Sequence, residues 1–140
     1  MIEIKCEIAA PVERVWACLT ETAQLKKWWN QGVRLEPQSG GHFEEPWVDA
    51  KGRPVVTRGT VLGIDPPRKL RLSWSDEDWP IETEVSVELA ATDTGTHLAL
   101  SHAGWQAFPE DDRDYLVESH KAGWFHHLKN LQTYAETLPN

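Results

Sequence analysis

Histidines occupy positions 120, 126 and 127 in the segment SHKAGWFHHLKNL (119–131), beside Gly123 and Trp124. Three imidazoles this close suggest a metal site or an acid–base centre. Helical geometry argues against the metal. His120, Trp124, His127 or Leu128, and Leu131 share one face, while His126 turns toward solvent. His120 and His127 stand two turns apart, about 10 Å along the axis. Zinc needs each nitrogen at about 2 Å, so the pair cannot share one ion. His120 is left as a polar group on the inward face, and no metal is expected. Gly123 is the other oddity. A glycine inside a helix costs roughly 1 kcal/mol against alanine, and the use that offsets this is close approach of a neighbouring backbone or room for a ligand.

Two further residues are of types that do chemistry. His102 shares the inward parity of Leu98 and Leu100, and a buried imidazole there can orient a carbonyl or move a proton. Glu45 shares parity with Phe43 and Trp47. An inward carboxylate is costly unless paired, with Arg58, His102 or His120 as candidate partners. A bulge around Pro46 would turn it outward, and that is the orientation expected. No nucleophile elbow, P-loop, dinucleotide fingerprint or H-E-x-x-H pair is present, so no cofactor is expected. Ser101 and His102 are strand neighbours pointing to opposite faces and are no nucleophile–base pair. The two cysteines, Cys6 and Cys18, match no metal or redox spacing and read as structural.

The elements that must position these groups follow from hydrophobic periodicity. Residues 2–8 alternate as a strand with one wet face. PVERVWACLT (11–20) reads as a helix with Pro11 at its first position. TETAQLKKWWN (20–30) reads as a second short helix capped by Thr20 or Thr22. Five or six strands follow: 33–37, 40–50, 54–64, 69–75, 81–90 and 96–104. Each has one polar face, as in an antiparallel sheet covered on one side. From about 110 to 138 the period lengthens, with acids at the start and Trp124, Leu128, Leu131, Ala135 and Leu138 at helical spacing.

The expected fold is therefore α+β, in a single domain of 140 residues. A curved antiparallel sheet of about six strands wraps a long C-terminal helix, and two short helices follow strand one. A straight rod cannot seat flush on a curved sheet, so a hollow is expected near the N-terminal half of the long helix. Eight tryptophans against two tyrosines and three phenylalanines are more large surface than a core of this size readily absorbs. Trp28 or Trp29, Phe43, Trp47, Trp74 and Trp124 are expected to wall the hollow. Trp79, Trp105 and Phe108 are expected at its mouth, and His102, His120 and Glu45 are its polar candidates.

With 14 Lys and Arg against 22 Asp and Glu, the net charge is −8. This disfavours nucleic acid as a partner. The mean hydropathy is −0.51, and no apolar run reaches membrane-spanning length. Membrane insertion is not expected, and cytoplasmic residence is the default expectation.

The element order, with IAAPVERVWACLT, KKWW, GGHF, GTVLGIDPPRKLRLSW, THLALSHAGW and AGWFHHLKNLQTYAE in sequence, resembles the helix-grip, START-like (SRPBCC) superfamily. Within it the chain is most similar to the branch of heat-shock-protein ATPase activator homologues (AHSA). The resemblance implies an internal cavity without fixing its ligand. The leading expectation is binding of a small hydrophobic molecule, aromatic or lipid-like. A chaperone partner docking on exposed Trp79 and Trp105 is the alternative. A cavity enzyme of cyclase or hydrolase type, using His102 or Glu45, is the third. Self-association as a homodimer stays open.

Overall fold

The computed structural model describes residues 1–138. Seven strands form one antiparallel sheet: β1 (Ile2–Ile8), β2 (Arg34–Leu35), β3 (His42–Val48), β4 (Pro54–Asp65), β5 (Lys69–Asp76), β6 (Thr83–Thr92) and β7 (Gly95–Ala103). Their spatial order is β1-β7-β6-β5-β4-β3-β2. Helices α1 (Val12–Thr20) and α2 (Thr22–Trp28) follow β1, and α3 (Glu110–Thr137) closes the chain. The helix-grip expectation holds, with seven strands where about six were expected. The segment expected as a strand over 33–37 is present but reduced to the two-residue β2.

Two local expectations are corrected. Pro11 precedes α1 as its extended cap residue rather than opening it. Neither Thr20 nor Thr22 caps α2. The Thr20 hydroxyl instead donates to the Trp16 carbonyl, and that of Thr22 to the Leu35 carbonyl.

The alternation read from the sequence appears as burial. Along β7, Thr96, Leu98, Leu100 and His102 are buried while their neighbours are not. Helix α3 covers this face with its C-terminal half only. Its buried residues are Trp124, Leu128, Leu131 and Ala135, and none precedes Trp124. Side-chain bonds tie that half to the start of the chain. Gln132 donates to the Glu7 carbonyl, the Ala9 N–H donates to Glu136, and Arg14 donates to the carbonyls of Ala135 and Leu138. The N-terminal half of α3 overhangs the sheet without sealing against it.

Two irregularities shape the sheet beneath that overhang. Val61 faces Leu72 but Gly63 faces Arg71, so Leu62 is an inserted residue on β4. Such a bulge adds local twist. Gly59 faces Phe43 on β3, and across β5 it lies between the pairs Arg58–Ser75 and Val61–Leu72. Having no side chain, it lets Phe43 and Trp74 stack over it, with ring centroids 5.4 Å apart. A β-carbon at Gly59 would also lie 1.9 Å from the Ser73 carbonyl oxygen. Backbone cannot yield as a flexible side chain does, so Gly59→Ala is expected to lower stability by about 1–3 kcal/mol. Urea unfolding would show it as a lower midpoint at unchanged slope.

Candidate functional site

Where α3 overhangs β3, β4 and β5, an open cleft of about 510 Å³ remains. Trp47, Trp74, Trp124 and Tyr115 give it aromatic walls, and Glu45, Thr57, Asp76, His120 and His127 give it polar groups. The hairpin from Asp49 to Arg53 forms one rim, and Gly123 lies on the helix side. A β-carbon at Gly123 would meet nothing within 4 Å. Of the two uses expected for this glycine, close backbone approach is excluded and open room is what the structure shows.

The polar floor follows from strand register. Glu45 pairs with Thr57, and Thr57 pairs with Asp76, in one row across β3, β4 and β5. Cross-strand partners share a face, so all three side chains point inward. Two strand spacings, about 9.6 Å, separate the outer two backbones. Above them His120 and His127 are seven residues apart on α3, about 10.5 Å by helical rise. The two spacings nearly match, so each imidazole stands over one carboxylate. His120 Nε2 is 3.8 Å from Asp76 Oδ2, and His127 Nε2 is 4.0 Å from Glu45 Oε2. Both separations are too long for a hydrogen bond.

The remaining contacts set the character of each group. The Thr57 hydroxyl donates to Asp76 Oδ1 at 2.6 Å and accepts the Trp47 N–H at 2.9 Å. The Trp29 N–H donates to Glu45 Oε2 at 2.9 Å. Burial pushes the Glu45 carboxyl up to about 7; the Trp29 bond opposes this and the charge of Asp76 adds to it. His120 Nδ1 donates to the Leu116 carbonyl at 2.9 Å. The neutral ring therefore presents its Nε2 lone pair toward Asp76. Burial holds His120 below the ordinary imidazole range against the opposing pull of Asp76 and the Leu116 carbonyl. Burial, with a smaller contribution from His126, lowers His127 to about 4. The imidazoles of the cleft are thus neutral near pH 7.

Beyond the cleft lies His102, fully buried. Its Nδ1 accepts the Trp124 N–H at 3.0 Å, and its Nε2 lies 2.6 Å from the Thr83 hydroxyl. That hydroxyl is 3.0 Å from the Trp74 carbonyl, to which it donates. An indole N–H only donates. Nδ1 must then be bare, and Nε2 carries the proton toward Thr83. Burial, with a smaller contribution from His120, depresses this imidazole to about 3. His102 is a satisfied structural hub without access to the cleft.

Of the sequence-predicted site residues, Glu45, Trp47, Trp74, His120 and Trp124 meet at the cleft. Trp28, Trp29 and Phe43 lie below it in packed core, around a gap of only about 30 Å³. Trp79, Trp105 and Phe108 form a separate cluster on the far side of His120. Trp105 and Phe108 are buried, so Trp79 and Trp105 make no exposed docking patch. The Trp105 N–H donates to the His102 carbonyl.

Glu45 points inward, against the expectation of an outward turn. Pairing across β3 and β4 is continuous through Pro46, so no bulge rotates it. Nor is its partner Arg58, which lies 3.7 Å from Glu44 on the outer face. Asp76, Thr57, His127 and Tyr115 are the cleft residues the sequence reading did not name as site candidates. Asp76 continues the parity of Leu70, Leu72 and Trp74 by one step, a signal hidden by the acidic run that follows. Among the described residues, no group of three or more His, Cys, Asp or Glu is placed to hold a metal ion. No helix among them is long and apolar enough to cross a membrane.

Residues 9–136 match the family described as Activator of Hsp90 ATPase homolog 1-like protein, AHSA1. The chain belongs to this family. Its fold is that of the SRPBCC superfamily, as similar solved structures also indicate. Protein MLL2253 of Mesorhizobium loti superposes with a TM-score of 0.80 at 22% identity, covering 99% of this chain and 98% of that one. A Rhodobacter sphaeroides protein gives 0.78 at 28% identity, covering 97% and 92%. CalU16 of Micromonospora echinospora gives 0.73 at 27% identity, covering 96% and 75%. Among curated proteins, none matches the chain in sequence.

The raised Glu45 carboxyl has a consequence for stability. Its folded value, about 7, lies above the ordinary 4.5. The folded state therefore holds an extra proton between these values. This contribution is fully present below pH 4.5 and is lost as pH rises through 7. Glu45→Gln removes the loss. The stability of Glu45→Gln relative to the parent should rise between pH 5 and pH 8 by about 2 kcal/mol. The depressed histidines act in the opposite direction, losing stability as pH falls below 6.5, but they are common to both proteins and cancel. Urea unfolding of both at the two pH values checks it.

Proposed function

We propose that this AHSA1-family domain binds a small aromatic molecule in the open cleft between β3–β5 and the N-terminal half of α3. One observation carries the reading: α3 buries no residue before Trp124, and the space this leaves is walled by indoles and floored by buried polar groups. Apolar clefts with a few convergent polar groups are the usual form of small-molecule sites. The volume of about 510 Å³ lies within the usual range for a ligand pocket. Aromatic walls favour a flat ligand that can stack or pack edge to face.

Two buried polar atoms of the cleft residues have no protein partner, Trp74 Nε1 and His127 Nδ1. An unmet buried donor costs roughly 1–3 kcal/mol. That cost is removed when a ligand or water supplies the partner. The small gap lined by Trp28, Trp29 and Phe43 leaves no such room. The binding volume is accordingly the open cleft, with only part of the expected aromatic set around it.

Intrinsic tryptophan fluorescence, titrated with a flavonoid, an aromatic polyketide and a fatty acid, tests the reading. Saturable quenching by an aromatic compound is expected, with the fatty acid weaker. Gly123→Leu should weaken that binding at least tenfold, because its side chain grows into the open space without a backbone clash. Its circular dichroism and urea midpoint should match or exceed those of the parent, since a mid-helix glycine is removed. Absence of saturable quenching across the panel, or binding unaltered in a folded Gly123→Leu protein, would overturn the proposal.

A further inference from the structure

The cleft's donors and acceptors are out of balance. The Trp29 N–H is committed to Glu45, the Trp47 N–H to Thr57, and the Thr57 hydroxyl to Asp76. Trp74 Nε1 is left without a partner, as is the ring of neutral His127 at the Glu45 end. At the Asp76 end acceptors remain in surplus: the second carboxylate oxygen of Asp76 and the lone pair of His120 Nε2. Asp76 Oδ2 and His120 Nε2 are 3.8 Å apart with no proton between them, because His120 spends its N–H on the Leu116 carbonyl. Two acceptors at that separation form a slot for one shared donor group. A donor nitrogen about 2.8 Å from each, the length of a charge-assisted bond, reaches both from a point about 2 Å to the side of the line joining them.

Charge points the same way. Asp76 sits in the cleft with its side chain only 13% exposed, so a bound cation meets it in a medium far less screening than water. Indole faces surround the slot. Trp74 lies 6.4 Å from His120 and 5.1 Å from Trp124 between ring centroids. Such faces attract an organic cation and stack its aromatic body. The cations of the cleft are confined to its rim. Arg53 and Lys51 are exposed on the hairpin, and Arg53 is paired with Asp49 at 2.9 Å. His127 and His120 are held neutral by burial and add no positive charge.

We infer that the ligand of this cleft is a protonated aromatic amine, its ammonium between Asp76 and His120 and its ring among Trp47, Trp74 and Trp124. The inference rests on the aromatic-cleft reading above and sharpens it to a ligand class.

Calorimetric titration with three probes of one shape separates the two. These are 2-(2-naphthyl)ethylamine, 2-(2-naphthyl)ethanol and 2-naphthylacetate. At pH 7.5 the amine should bind about tenfold more tightly than the alcohol, and the carboxylate more weakly than either. Asp76→Asn should bring the amine down to the alcohol's affinity in the same protein. The wild-type series decides the matter even if that variant folds poorly. Glu45→Gln, which leaves the Asp76–His120 slot intact, should keep a preference for the amine. Equal or tighter binding of the alcohol or the carboxylate would overturn the amine inference while leaving the aromatic cleft standing. So would an undiminished amine preference in folded Asp76→Asn. Failure of all three probes to bind would remove both.

Discussion

The hydrogen bond from Trp124 to His102 is the constraint on which the site depends. It joins the one long helix to the sheet at a fully buried imidazole. Because the indole can only donate, the bond fixes the tautomer. The relay runs from Trp124 through His102 and Thr83 to the Trp74 carbonyl, crossing from α3 to β7, β6 and β5. Every atom in it has one role, and protonating His102 would set two donors against each other. A relay like this holds α3 in both rotation and height. Leu128, Leu131 and Ala135 then fall into core, and His120 and His127 stand over Asp76 and Glu45.

Curvature decides what happens on either side of that anchor. C-terminal to Trp124 the helix lies on β1 and β7 and is tied to the ends of β1 and α1. N-terminal to it no residue of the helix is fully buried, and Leu116, Val117 and His120 are only partly covered. The cleft is the space between helix and sheet. Strand and helix repeats coincide there, because seven helical residues rise about as far as two strand spacings. One histidine per carboxylate is the geometric result. The pairs stop short of hydrogen bonding, so the polar groups lean on the protein through Trp29, Thr57 and Leu116 and keep their facing sides open.

The fold was legible because its signals are local and periodic. Alternation along β1, β5, β6 and β7, and the helical stripe from Trp124 to Ala135, leave one arrangement that buries one sheet face. The site was legible in part. His120, Trp124, Trp74, Trp47 and Glu45 could be named from parity and helical face. What parity cannot give is which of several inward indoles fill the core and which line the opening. Trp28 and Phe43 are as inward as Trp74, and only the stand-off of α3 separates them. Trp105 was misplaced for a related reason. It lies in a turn after β7, where no period orients a side chain, and its N–H is drawn inward by the His102 carbonyl. Glu45 was misjudged because Pro46 suggests a bulge. In the structure β2 pairs only as far as Glu44, so Pro46 falls where β3 has become an edge, and proline is tolerated there without distortion.

The departures from local rules gather around the cleft. Gly123 interrupts a helix that alanine would favour, Glu45 places a carboxyl where burial raises it to about 7, and Trp74 keeps an indole N–H without a protein partner. Gly59 empties a strand position so that Phe43 and Trp74 can stack. The first three cost stability taken singly, and none of the four improves the packing of the C-terminal core. Sequences that specify one fold are consistent across levels, and departures concentrate where something besides folding is at stake. Here several departures among the described residues border the cleft between helix and sheet, although Arg113 Nε is also buried without a partner elsewhere. That clustering, more than the volume of the cleft, is what the proposed site reading rests on.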